Sequence, residues 1–208
     1  NPVVTPELER LSHIPLDHRW LQADQPPLVL GVGRLSRIKN FQLLLRAFAK
    51  ARREQPMHLM ILGEGKQRPE LLRLAQQLGI AEDVELLGFQ ANPYPYMRGA
   101  DLFVLSSSWE GFGNVLVEAM ACGTPAAATN CPSGPSQILQ GGRYGALVPV
   151  DNDDALARAI LTSLRNPPPA PLLAEAIHPY TLENSVSAYL LALGFPLPPS
   201  DLAANSQL

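Results

Sequence analysis

Short apolar runs alternate with helical periods along most of the chain. The runs are bounded by glycine, proline or polar residues and occupy 28–33, 58–63, 84–89, 102–107, 126–129 and 146–150. Several of them are apolar throughout, which is typical of strands in a parallel sheet that is covered on both faces. The pattern therefore predicts six strands, most of them buried.

Amphipathic segments separate these runs. After the first run, Phe41, Leu44, Leu45 and Phe48 form one apolar stripe, and Asn40 precedes them as a candidate N-cap. Further helices are predicted over 69–79, 93–99, 114–122 and 151–166, with two more over 170–192. This alternation predicts an α/β fold, namely a doubly wound, mostly parallel, six-stranded Rossmann-like sheet with helices on both faces.

The two ends of the chain depart from this pattern. Residues 1–27 are punctuated by proline and are interpreted as a linker that leads into the domain, and 194–208 as a disordered tail. Residues 28–193 are predicted to form one domain with additional helices at its carboxyl end. Because the first residue is Asn1 rather than methionine, we expect the sequence to be part of a longer protein.

Composition disfavours several classes of function. The chain has 208 residues, and its net charge of −3 offers no basic surface for nucleic acid. It shows no transmembrane run or signal region. Cys122 and Cys131 lack the spacing of a zinc site or a disulfide framework, and the four histidines lack metal-ligand spacing. We therefore expect reduced thiols, a cytoplasmic protein, no metal site and a small-molecule partner.

Glycines and polar residues concentrate where predicted strands end, the edge at which open α/β sheets bind ligands. The turn "GVGRLSRIKN" has Gly33 but not the third glycine of a dinucleotide fingerprint, so NAD binding is disfavoured. Arg34 and Lys39 in this turn either converge on a phosphate or lie solvated on a loop. In "ILGEG", Gly63 either lets a ligand approach the backbone or belongs to an ordinary turn.

Glu118 is the one polar side chain between Val115 and Ala121. Burying an unpaired carboxylate is costly, so Glu118 must meet a donor, a cation or water. It either pairs with an arginine elsewhere or accepts hydrogen bonds from the hydroxyls of a sugar. The preceding "GFGN" offers free backbone N–H groups to an anion, so a ribose followed by phosphate is a coherent ligand. The loop "CPSGPS" is a further candidate for receiving polar groups.

Five motifs, in this order, resemble the carboxy-terminal, donor-binding half of a GT-B glycosyltransferase of family 4, also called glycosyltransferase group 1. They are "GVGRLSRIKN", "ILGEG", "LLGF", "EGFGNVLVEAMACGTP" and "CPSGPSQIL…GALV", and they span roughly 28–150. The most specific feature is the pair Glu110 and Glu118, eight positions apart. The resemblance implies a retaining enzyme that transfers a hexose or N-acetylhexosamine from a nucleotide sugar to a glycan acceptor, in lipopolysaccharide, capsule or other surface polysaccharide synthesis.

The resemblance also implies roles for individual residues. Glu110, Arg34 and Lys39 would be catalytic, with Glu110 at the transferred sugar and the two cations at the departing diphosphate. Glu118 would hold the ribose hydroxyls. The other donor-binding residues would be Gly33, Gly63, Phe89, Phe112, Gly113 and Asn114. The donor is expected to be a UDP-sugar, and no divalent metal is expected.

One residue departs from the family pattern, since Gln137 stands where the family usually has glutamate. The amide keeps hydrogen bonding but loses the charge, which puts donor affinity or sugar selectivity in doubt. A non-catalytic nucleotide-sugar-binding module and a nucleotide-sugar epimerase therefore stay open as alternatives. The resemblance further implies an amino-terminal acceptor domain. Without that domain the fragment is expected to be inactive, and the full-length protein could use it to contact the inner face of the cell membrane.

Overall fold

The computed structural model describes residues 1–196 and contains a six-stranded sheet in the order β3-β2-β1-β4-β5-β6. The strands are β1 (Leu28–Val32), β2 (His58–Leu62), β3 (Val84–Gly88), β4 (Leu102–Leu105), β5 (Ala126–Thr129) and β6 (Ala146–Val148). Every neighbouring pair is parallel. The predicted fold class is confirmed, and the sheet is entirely rather than mostly parallel.

Helices connect the strands, as the alternating pattern predicts. Within residues 1–196 they are α1 (Pro6–Ser12), α2 (Phe41–Glu54), α3 (Arg68–Gln77), α4 (Tyr94–Gly99), α5 (Asn114–Ala121), α6 (Pro135–Ile138), α7 (Asp153–Arg165), α8 (Ala170–Ile177) and α9 (Leu182–Ala192). Side-chain caps fix several starts, since Asn40 accepts from the backbone N–H of Leu43 and Thr181 from that of Asn184. The local signals for helix initiation therefore agree with the structure.

Two apolar cores lie on opposite faces of the sheet. Along β2, Leu59 and Ile61 belong to one core, whereas Met60 and Leu62 belong to the other. The first core is completed by α2, α3 and α7, and the second by α1, α4, α5 and α8. Because successive strand residues point to opposite faces and both faces are covered, the strands read as continuous apolar runs.

Residues 1–27 contain more structure than the expected linker. They include α1 and a short 3-10 turn, and Leu8 and Trp20 are buried in the core that α4 and α5 share. Pro6 lies in the first turn of α1, where a missing N–H is no loss, so this proline begins a helix rather than interrupting one. Of the predicted tail, 197–208 lie outside the described residues.

The strand order sets the position of a cleft. β1 pairs with β4, and from these two central strands the chain continues to opposite sides of the sheet. Ligands of doubly wound sheets bind at such a switch point, beside the carboxyl ends of the strands. β4 ends at Leu105 rather than at the expected position 107, and beyond it the Ser106 hydroxyl donates to the Lys39 carbonyl and the Ser107 hydroxyl to the Glu110 carboxylate.

Other sequence expectations concern thiols and membranes. Cys122 and Cys131 are both buried and free, and burial raises the pKa of Cys122 to about 12. A thiol with so high a pKa stays protonated and unreactive at neutral pH. Within residues 1–196, no helix combines the length and the apolar character needed to cross a bilayer.

Candidate nucleotide-sugar site

Glu118 lines two of the cavities that open at the carboxyl edge of the sheet. The first, of about 760 Å³, lies around the loops that follow β1 and β4, and the second, of about 590 Å³, around the loops that follow β1, β2 and β3. The ten predicted site residues divide between them: Lys39, Glu110, Phe112, Gly113 and Asn114 line the first, Gly33, Arg34, Gly63 and Phe89 the second, and Glu118 both. The structure thus places all ten predicted site residues on these two cavities, whereas Gln137 and the "CPSGPS" loop line neither.

Lys39 and Glu110 form an ion pair in the first cavity. The Lys39 Nζ lies 2.6 Å from the Glu110 Oε1, although the two residues are 71 positions apart in the chain. Glu110 is only 7% exposed, and Ser107 Oγ donates a second hydrogen bond to the same Oε1 over 2.5 Å. The buried carboxylate is therefore held by one cation and one hydroxyl.

The amino end of α5 opens onto the same cavity. Gly113 precedes the helix with a φ of 94°, a left-handed conformation that favours glycine, and no side chain caps the first turn. The adjoining Asn114 Oδ1 accepts a hydrogen bond from the Asn1 side chain over 3.0 Å, and the Phe112 ring meets that of Tyr180 edge to face. Uncapped N–H groups at a helix start attract anions, so this end of the cavity suits a phosphate.

Glu118 has no partner among the residues that the structure describes. Within residues 1–196 its carboxylate forms neither a hydrogen bond nor an ion pair, so the alternative of a buried pair with an arginine is wrong. The side chain is half-buried, and burial raises the pKa of Glu118 above its ordinary value of 4.5. A desolvated acceptor that the protein leaves unbonded is available to a donor in either cavity.

The second cavity has a glycine-built floor. The N–H of Gly33 donates to the Leu62 carbonyl over 2.9 Å, and that of Gly63 to the Gly88 carbonyl over 2.7 Å. A β-carbon on Gly63, where φ is 133°, would collide with the Gly33 carbonyl oxygen. The two loops can therefore approach each other only because this position carries no side chain.

Two side chains of the second cavity are open to solvent. Phe89 is 75% exposed, and the exposed Arg34 guanidinium forms no hydrogen bond or ion pair within residues 1–196. Arg34 lines this cavity and Lys39 the other, so the two cations lie on either side of Glu118 instead of meeting at one point. An aromatic face and an unpaired guanidinium beside a carboxylate suit a base and an anion on one ligand.

Sequence reasoning missed two contributors to the site. Tyr94 lines the second cavity, and its pKa is raised by burial first and then by the charge of Glu118. Ser107 falls at the end of the apolar run that predicts β4, and its neighbours in the sequence do not mark it as a site residue. Gln137 is exposed on α6. In the loop after β5, a β-carbon on Gly134 would strike the Phe112 carbonyl, so this loop can pack against the start of α5 only because Gly134 carries no side chain.

Within the part of the chain that the structure describes, no cluster of three or more histidine, cysteine or carboxylate side chains could hold a metal ion. The cationic and dipolar groups around the two cavities include Lys39 and the start of α5 at the first and Arg34 at the second. These groups are the ones available to neutralise a ligand's negative charge.

The family model for glycosyl transferases group 1 matches residues 16–178 of this chain. The match covers most of the sequence, including all ten predicted site residues, and the chain therefore belongs to this family. The fold agrees, since its structural neighbours are GT-B glycosyltransferases.

Curated relatives include two bacterial transferases. An N-acetylgalactosamine-N,N'-diacetylbacillosaminyl-diphospho-undecaprenol 4-alpha-N-acetylgalactosaminyltransferase from Campylobacter jejuni is 41% identical over 138 residues, which are 66% of this chain and 37% of the relative. The lipopolysaccharide core biosynthesis glycosyltransferase LpsE from Rhizobium meliloti is 36% identical over 134 residues, which are 64% of this chain and 38% of the relative. The matched region thus spans less than two fifths of these relatives.

Among solved structures, Anabaena Alr3699/HepE in complex with UDP superposes with a TM-score of 0.72 at 26% identity, over 81% of this chain and 49% of that protein. The same protein in complex with UDP-glucose gives a TM-score of 0.70 at 27% identity, over 81% and 49% of the two chains. This chain thus corresponds to about half of that structure.

Proposed function

We propose that residues 28–193 form the nucleotide-sugar donor-binding domain, the carboxy-terminal half, of a retaining glycosyltransferase. The enzyme would transfer a hexose or N-acetylhexosamine to a glycan acceptor during lipopolysaccharide, capsule or other surface polysaccharide synthesis. Residues 1–27 would then connect this domain to an amino-terminal acceptor domain, and the reaction would take place on the cytoplasmic side of the membrane.

The observation that carries this proposal is the position of Glu118. An unbonded carboxylate between two cavities matches the vicinal hydroxyls of a ribose, which donate hydrogen bonds. The diphosphate would extend from the ribose into the first cavity, towards Lys39 and the start of α5. The base would lie in the second cavity beside Phe89, and Arg34 would add charge from the other side.

The charge around the first cavity supports transfer as well as binding. Departure of a nucleoside diphosphate builds negative charge on the leaving oxygen, and preorganised cations and N–H groups stabilise such charge. Lys39 is already placed by its bond with Glu110. We propose that Glu110 contacts the transferred sugar and that the chemistry proceeds without a divalent metal.

The comparisons with known proteins support UDP or a UDP-sugar as the ligand and surface-glycan synthesis as the process. The Anabaena structures contain UDP and UDP-glucose, so UDP is the first nucleotide to consider here. The relative from Rhizobium meliloti is named for lipopolysaccharide core biosynthesis, and that from Campylobacter jejuni for transfer to an undecaprenol-linked glycan. A substrate of the second kind would bring the full-length protein to the membrane surface.

Calorimetric titration of this chain with UDP and then with GDP, in the presence of EDTA, tests the proposal directly. We expect saturable binding of UDP and weaker binding of GDP. A folded chain that binds neither nucleotide would contradict the assignment of the donor site to this half.

Activity requires the full-length protein. Incubation with a UDP-sugar and glycan acceptors, followed by NMR of the new anomeric centre, should show transfer with retained configuration. Isomerised UDP-sugar without acceptor glycosylation would instead identify an epimerase, and tight donor binding without turnover would identify a non-catalytic binding module.

A further inference from the structure

Ser107 donates its hydroxyl to a carboxylate of the site. It is 1% exposed, lies two residues beyond the end of β4, and its Oγ is 2.5 Å from the Glu110 Oε1. The adjacent serines behave differently, because the Ser106 and Ser108 hydroxyls donate to backbone carbonyls of the loop that carries Lys39. Of this serine tract, only Ser107 is bonded to a side chain that lines the first cavity.

Ser107 is itself fixed by the neighbouring strand. Thr129, at the end of β5 and 0% exposed, directs its Oγ1 to the Ser107 carbonyl over 2.5 Å and to the Leu105 carbonyl over 3.2 Å. The backbone that carries the Ser107 hydroxyl is therefore anchored to two adjacent strands of the sheet. A hydroxyl on a backbone that is supported in this way can hold the Glu110 side chain with little conformational freedom.

The Glu110 carboxylate is bonded on one oxygen only. Its Oε1 receives both Lys39 and Ser107, whereas its Oε2 forms no hydrogen bond within residues 1–196. An anion in the first cavity would compete with Glu110 for Lys39. Since a buried carboxylate that loses its partner is strongly destabilised, the Ser107 hydroxyl is the bond that would keep Glu110 satisfied when Lys39 turns to a ligand.

We propose that Ser107 is a positioning residue that acts through Glu110. Its hydroxyl holds Oε1, sets the plane of the carboxylate and leaves Oε2 for the transferred sugar, including when a diphosphate draws Lys39 away. This inference rests on the proposed function, in which Glu110 contacts that sugar.

The main test compares Ser107→Ala with wild type in the full-length enzyme. We expect kcat to fall about tenfold or more, the effect of losing one hydrogen bond to a charged group, while the KM for the UDP-sugar changes by less than about threefold. Ser12→Ala is the matched control, because Ser12 is 2% exposed on α1 and donates to a backbone carbonyl. An unchanged kcat in Ser107→Ala, or an equal loss in Ser12→Ala, would overturn the proposal.

A double-mutant cycle shows whether Ser107 acts through Glu110. In a Glu110→Gln background, Ser107→Ala should lower kcat by much less than it does in wild type, because the charged acceptor is already gone. A loss of the same size in both backgrounds would mean that Ser107 acts by another route.

Failure of the proposed function can be told apart from failure of this inference. Absence of UDP binding by the wild-type protein would reject the former. A crystal structure of the unliganded Ser107→Ala protein then judges the latter alone. A rotated or disordered Glu110 carboxylate would support it, and a Glu110 unchanged at Lys39 would overturn it.

Discussion

Glu110 and Glu118 lie eight positions apart and line the same cavity, yet the protein treats their carboxylates in opposite ways. Glu110 is nearly inaccessible and is bonded by Lys39 and Ser107. Glu118 is half-buried and has no partner within residues 1–196, and its pKa is raised by burial. The fold supplies two partners to the Glu110 carboxylate, whereas it buries the Glu118 carboxylate without supplying one from the described residues.

In the proposed function, Glu110 is a residue whose geometry is set before the ligand arrives, and Glu118 is one whose bonding the ligand completes. An enzyme gains from preorganised groups where charge develops and from free acceptors where a substrate donates. The two glutamates therefore make contrasting predictions for stability and for binding, and the following variants test that contrast.

The largest effect is expected from Lys39→Ala. It removes the cation proposed for the diphosphate and leaves the buried Glu110 with Ser107 alone. UDP affinity should fall about ten- to a hundredfold, equivalent to about 1.5–3 kcal/mol for a charge-assisted contact, and the melting temperature should also drop. Calorimetric titration and thermal scanning measure the two effects. Lys50→Ala, at a more exposed pair with Asp153 and Asp154, is the control and should change little. UDP affinity that survives Lys39→Ala would remove this lysine from the site.

The direct contrast comes from Glu118→Gln and Glu110→Gln. The first should weaken UDP binding about tenfold without loss of stability, because it replaces a charged acceptor that the described fold leaves unbonded with a neutral amide that has one acceptor oxygen. The second should cost about 1–3 kcal/mol of unfolding free energy while leaving UDP affinity undiminished, since Lys39 is set free. Denaturant unfolding gives the unfolding free energy of each variant, and calorimetric titration gives its UDP affinity. If Glu118→Gln chiefly destabilised the fold instead, the proposed role of Glu118 would be wrong.

A smaller, pH-dependent effect follows from the raised pKa of Glu118. Between its ordinary value of 4.5 and the higher folded-state pKa, the folded protein binds more protons than the unfolded chain, so this residue's contribution to stability declines as pH rises. Glu118→Gln lacks this decline. Its stability relative to wild type should therefore be greater at about pH 7 than at about pH 4. Unfolding curves at both pH values measure the difference, and Glu82→Gln, an exposed residue outside the site, should show none of it.

The smallest effect is expected from Phe89→Ala. The ring is 75% exposed, so its loss should leave the melting temperature unchanged. It should weaken UDP binding only about two- to tenfold, the range of one aromatic contact. Phe195→Ala provides a matched exposed phenylalanine away from both cavities. Equal affinities for all three proteins would place the base elsewhere.

Much of the site could be predicted because its residues lie where strands end. The loops after β1, β2 and β4 supply Arg34, Lys39, Gly63 and Glu110, and parallel strands bring such loops to one edge. The glycine turns could be predicted for the same reason, because they also follow predicted strands. Ser107 and Tyr94 were not foreseen, because a serine beside a strand and a tyrosine in a short turn occur in many roles, and only their neighbours distinguish them.

The sequence by itself determined the fold class, the strands and the principal helices, because burial on both faces of a sheet imposes a periodicity that the chain must carry in its residues. It also showed that Glu118 needs an explanation. The tertiary structure excludes one explanation, a pair with an arginine among the described residues. The strand order places Lys39 against Glu110, 71 positions away in the chain. It also brings the Thr129 hydroxyl to the Ser107 carbonyl. Contacts between distant loops depend on the order and register of the strands, and the local hydrophobic pattern of each strand is the same in any order.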